Sequence, residues 1–108
     1  MLGLFKRGSE AAPKMETLNS PATLCAGRME YPCVIRQASR ARMTIVLSRT
    51  ANIAGSVIVV DHVRGLALDA RIDAIKGLEV GLDITASHNL AGLVPARLSR
   101  ARDIWKRS

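Results

Sequence analysis

Aromatic side chains are almost missing from this chain: one Phe, one Tyr and one Trp in 108 residues. A surface that stacks successive bases needs more π-faces than that, so a nucleic-acid-binding barrel is disfavoured. The interior must instead be filled by Val, Ile, Leu, Ala and Met. Cysteine is just as sparse. Cys25 and Cys33 are the only two, with no CxxC pair, and His62 and His88 are the only histidines and stand far apart. Closely spaced metal ligands are therefore not expected. No apolar run approaches the roughly 20 residues that span a bilayer, and "MLGLFKRG" is too short for the apolar region of a secretory signal. The expectation is a cytoplasmic protein with both thiols reduced. The cysteines lie symmetrically about Met29, so a hairpin centred there would set them opposite each other on adjacent strands. Negative charge is also short: nine Asp and Glu against sixteen Lys and Arg leave a net charge of +7. That excess favours an anionic partner, whether nucleotide, nucleic acid, lipid headgroup or acidic protein face.

What the chain does have is 48% apolar residues, enough for one packed domain of this length. Met1–Ser20 mixes Gly, Ser, Pro, Lys and Glu without a sustained period and reads as a flexible N-terminal tail, although Leu2, Leu4 and Phe5 could dock. Residues 21–108 form the expected domain. There, short apolar stretches of period two alternate with turn residues. "PATLCAG" and "MEYPCVIRQ" make a first hairpin, followed by "MTIVL", "SVIVV" and, after the turn "DHVRG", "LALDARIDAI". The clearest alternation is "LEVGLDI", which puts Leu78, Val80, Leu82 and Ile84 on one face and Glu79, Gly81 and Asp83 on the other. Gly77 makes the connection before it tight. Six strands joined mostly by short turns predict a mainly β fold, an antiparallel sheet that closes into a barrel.

The end of the chain changes period. Val94, Leu98, Ala101 and Trp105 recur at helical spacing, Pro95 suits a first helical turn, and Arg97, Arg100, Arg102, Lys106 and Arg107 fall outside that stripe. This predicts a C-terminal amphipathic helix covering an end or flank of the barrel, anchored by Trp105, with its arginines in water.

Catalysis needs a nucleophile beside a base, or acid and base groups in contrasting environments. Neither is visible, so an enzyme is not expected. Asp69 and Asp73, interleaved with Arg71 on the long strand, read as a cross-strand salt-bridge ladder. Ser39 lacks a GxSxG context. A binding site is better supported. In "RQASRARM", Arg36, Arg40 and Arg42 surround Ser39, and guanidinium forks suit phosphate and stack on purines. In an extended strand the three arginines would share one side, opposite Gln37 and Ser39; in a loop all could converge.

"GRMEYPCVIRQASRARMTIVL", then "GSVIVVDHVRGLALDARIDAIKGLEVGLDI", then a helix ending near a tryptophan, resembles a PilZ domain of the small single-domain alphaproteobacterial type. The similarity spans about Ala22 to Arg107. It implies a six-stranded antiparallel β-barrel with a C-terminal helix. It also implies binding of cyclic diguanylate (cyclic-di-GMP) through an RxxxR motif before the barrel and a D/NxSxxG motif on it. Carried onto this chain, the second motif falls on Gln37, Ala38, Ser39, Arg40, Ala41 and Arg42, and only Ser39 matches. Gln37 stands for the acid or short amide, and Arg42 for the glycine. The window for the first motif holds Lys6, Arg7 and Lys14 but no arginines four apart; "RQASR" has the spacing but belongs to the barrel segment.

The resemblance thus implies a non-enzymatic regulatory protein of cyclic-di-GMP signalling, without cofactor, acting as an adaptor on a protein partner with a degenerate nucleotide site. The alternative is a divergent receptor in which Arg36, Arg40 and Arg42, with Ser39 and Gln37, replace RxxxR. A homodimer through an exposed edge strand or the helix is left open.

Overall fold

The computed structural model describes residues 16–107, with side chains from Leu18 onward. Six strands form in chain order: β1 (Glu16–Ala26), β2 (Met29–Ala38), β3 (Arg42–Leu47), β4 (Ser56–Asp61), β5 (Leu66–Lys76) and β6 (Glu79–Asn89). A 3-10 turn (Ala96–Leu98) then runs into helix α1 (Ser99–Arg107). Every pairing is antiparallel, and the strands close into a barrel in the order β1, β2, β3, β6, β5, β4. The six-stranded barrel and C-terminal helix expected from the sequence are both present. No helix among the described residues is long and apolar enough to cross a membrane.

Alternation builds the interior. Leu24, Ile35, Ile45, Val59, Val80 and Leu82, drawn from five strands, are fully buried against one another. Each such side chain contributes about 1.5–3 kcal/mol by leaving water. Of the face predicted in "LEVGLDI", Val80 and Leu82 are sealed and Ile84 is half-buried, whereas Leu78 lies in the turn before β6 and is exposed. A second, smaller core lies outside the barrel wall, where Cys25, Val60 and Ala67 meet Leu90, Leu98, Ala101 and Ile104. Strand β4 is therefore covered on both faces, which is why "SVIVV" is continuously apolar.

Two expectations are corrected and a third is refined. The tail boundary at Ser20 is too late: Glu16–Ser20 already belongs to β1, paired only with β2, while residues 1–15 lie outside the described residues. The cysteines are not opposite each other. Gly27 takes φ +60°, which centres a two-residue turn on Gly27 and Arg28 and sets Cys25 across from Glu30 and Cys33 across from Ala22. Cys33 points into the barrel and Cys25 into the outer core, both as free thiols. Finally, the helix arginines face water as expected, but three of them are also bonded to the barrel. Arg100 donates to the Gly27 and Arg28 carbonyls at 2.7 Å each and to Glu30 at 3.2 Å, Arg107 reaches Glu30 at 3.3 Å, and Arg97 forks onto Asp69 at 2.8 and 3.1 Å. The helix and the turn before it lie over the β1–β2 turn and the strand acids Glu30 and Asp69, whose carbonyls and carboxylates take donors from the long guanidinium stems.

Candidate functional site

The segment Arg36–Arg42 is bent twice. Between Ile35 and Gln37 the register of β2 against β3 slips by one residue, so Ile35 and Ala38 point inward while Arg36 and Gln37 are both exposed. Ser39 then makes the turn. Its amide donates to the Arg42 carbonyl at 2.8 Å, and its hydroxyl accepts from the Arg42 and Ala41 amides at 3.2 and 3.4 Å. A serine that accepts from amides two and three residues on is fixing its own backbone. The Ala41 carbonyl accepts from the Ile84 amide at 2.8 Å, which pins the turn to β6.

These bends overturn both the shared side expected of an extended strand and the convergence expected of a loop. Arg36 lies on the outer face of the β2–β3 hairpin, in a groove with Pro32, Val34, Val46 and Ser48. Gln37 is exposed at the bulge. Arg42 stands at the start of β3 opposite Asp83, and its guanidinium bonds Asp73 at 2.5 Å and approaches Asp83 to 3.6 Å. The carboxylates of Asp73 and Asp83 therefore turn to Arg42, and the ladder expected through Arg71 does not form among the described residues. Arg40 alone reaches the barrel mouth.

That mouth is a cavity of about 320 Å³, near the lower end of the roughly 300–1,000 Å³ that small-molecule sites occupy. Ile35, Met43 and Leu68 form its floor, and Ser39, Arg40, Asp61, Arg64, Thr85 and Ser87 its polar lining. Arg64 comes from the β4–β5 turn. Buried Asp61 builds that turn by accepting the Val63 and Arg64 amides at 3.0 and 3.1 Å, and it holds the Arg64 guanidinium at 3.8 Å. Sequence reasoning missed Arg64 because it stands 24 positions from Arg40. The available signal was the Asp61 to Gly65 turn in "DHVRG", an aspartate followed by a glycine at φ +67°.

A second polar cluster lies on the outer face of β5 and β6. Asp69 holds Arg97 and also His88, whose Nε2 lies 3.0 Å away. The Arg97 hydrogen bonds, aided by His88, keep the Asp69 carboxyl below the ordinary carboxylate range against the opposing effect of burial. His62, by contrast, has its imidazole pushed down by burial and bonds the Thr23 hydroxyl at 2.9 Å. No group of three His, Cys, Asp or Glu suited to a metal occurs among the described residues. Compared with known proteins, the chain matches no family model and no curated sequence.

Proposed function

We propose that the chain is a non-enzymatic regulatory barrel of the PilZ type within cyclic-di-GMP signalling, working through protein contacts and carrying a degenerate nucleotide site. Support comes first from agreement between the barrel with its C-terminal helix and the architecture that the resemblance implies. The observation that carries the reading is the fate of the serine-motif segment. The Ser39 hydroxyl closes its own turn, and Arg42, where a glycine would let a ligand approach, is held by Asp73 and Asp83. A guanidinium already balanced by two carboxylates has little left for a phosphate.

A second reading, a divergent cyclic-di-GMP receptor, draws on one specific observation: Arg40 and Arg64 line the same mouth. Isothermal titration with cyclic-di-GMP at physiological salt separates the two. The expected result is no heat and no amide shifts at residues 38–42 and 63–65. Micromolar binding that disappears in an Arg40→Ala, Arg64→Ala double variant would establish the receptor and overturn the adaptor. The nucleic-acid reading is further weakened because Tyr31 is buried and Trp105 half-buried, which leaves no run of exposed aromatic faces for stacking among the described residues.

A further inference from the structure

A different surface takes no part in the nucleotide question. The Leu90 amide donates to the Gly65 carbonyl at 2.8 Å, tying the loop after β6 to the β4–β5 turn. Trp105 lies over Gly65 and donates its indole N–H to the His62 carbonyl at 3.2 Å. Two loops and the last turn of α1 therefore meet in one patch. Leu93 stands at its tip with 101% of its reference surface exposed, and Val63 exposes 67%. Between Leu90, Leu93, Trp105, Arg102 and Lys106 runs an open groove. No carboxylate lines that groove, and neither Arg102 nor Lys106 has an acidic partner within ion-pair distance among the described residues.

One exposed leucine is ordinary on a soluble protein. An exposed leucine beside a tryptophan, with a second exposed apolar residue on the turn that the tryptophan contacts and unpaired cations along the groove, has the composition of a membrane-interface anchor. We infer that this face docks on a lipid surface bearing anionic headgroups. Leu93 and Val63 enter the boundary between headgroups and acyl chains, Trp105 sits at its level, and Arg102 and Lys106 meet phosphates. The net charge of +7 adds a longer-range attraction to the same surface. A second copy of the chain fits poorly, because Arg102 and Lys106 would face their own likenesses. An acidic protein fits less well than lipid, because the apolar groups protrude: a partner protein would need matching pockets, whereas a fluid surface needs none.

The test is co-sedimentation of the full chain with vesicles, either pure phosphatidylcholine or containing about one-third phosphatidylglycerol. Binding is expected only to the anionic vesicles and should weaken with added salt. An Arg102→Ala, Lys106→Ala double variant should lower the partition coefficient about thirty-fold, since each cation near such a surface is worth about 1 kcal/mol. Leu93→Ser should lower it about ten-fold or more; with Leu93 fully exposed, the barrel's melting temperature should not change. An Arg71→Ala, Lys76→Ala variant, which removes the same charge from β5, should stay within about threefold of the parent chain. The inference is overturned if anionic vesicles do not retain the chain, if the charge-matched β5 variant loses as much as the helix variant, or if Leu93→Ser binds undiminished. Amide shifts at Leu93 with a polyglutamate peptide but not with vesicles would overturn it in favour of an acidic protein.

Discussion

Replacing Gly65 with alanine should be among the most damaging single-methyl additions this barrel can receive. Gly65 has φ +67°, where an alanine costs about 1–2 kcal/mol. Its new Cβ would also lie 2.8 Å from Cζ2 and 3.1 Å from Cε2 of Trp105. That contact is too close to persist, so the indole must move. Moving it strains the 3.2 Å bond to the His62 carbonyl, worth about 1 kcal/mol, and loosens the ring's packing. The sum is about 2–4 kcal/mol, a large part of the roughly 5–15 kcal/mol that holds a small domain together. Urea unfolding followed by far-ultraviolet circular dichroism measures it, and the melting temperature should fall by roughly 10–20 °C. The two causes separate in a double-mutant cycle. With Trp105→Leu already in place, alanine at 65 should cost only the backbone part, which gives a coupling of about 1–2 kcal/mol. A coupling near zero, or a Gly65→Ala protein as stable as the parent, would refute the claim that the indole and this turn are packed against each other.

Two further outcomes follow from the charge and thiol environments. Asp69→Asn should destabilise the protein by about 1 kcal/mol at neutral pH. Because Arg97 and His88 hold the folded carboxyl below its unfolded value, that stability is present above the ordinary carboxylate value of about 3.9 and disappears as pH falls through the folded one. Parent and variant unfolding curves should therefore converge in acid, and a gap that persists there would count against the linkage. Burial, helped by nearby Cys25, pushes the Cys33 thiol up to about 12, and burial raises Cys25 as well. Native Cys33 should then react with a disulfide reagent at mildly alkaline pH more than about a thousandfold slower than the unfolded chain. Stopped-flow labelling at comparable rates in both states would contradict that.

Much of the barrel was legible because alternation is a direct imprint of burial. Val80 and Leu82 read as inward-facing and are sealed. "SVIVV" did not alternate, and only the helix lying against β4 explains why. The candidate site was less legible. A one-residue bulge at Arg36 and Gln37, followed at once by the Ser39 turn, leaves no trace in composition, yet together they send Arg36, Arg40 and Arg42 to different surfaces. The start of β1 was hidden for another reason. Glu16–Ser20 pairs on one edge only, and of the side chains described there only Leu18 packs against the core, so no apolar alternation announces it. Long-range partners such as Arg40 with Arg64, or Asp69 with Arg97, depend on strand order, which a local pattern does not encode.

The β1–β4 seam is short, with only Ala22 to Cys25 facing Ile58 to Asp61. Helix α1 lies across it on the outside: its core touches Cys25 and Val60, Arg100 is bonded to the turn after β1, and Trp105 to the turn after β4. The helix thus acts as a clasp over one of the two joins, β1–β4 and β3–β6, that turn two three-stranded sheets into a barrel. β4 can pair with β1 before the helix docks, so the barrel should open and reclose along this line until it does. Amides of Thr23 and Val60, which face each other across the seam, would then exchange with solvent faster in a chain whose helix is undocked, which makes the helix the keeper of that join.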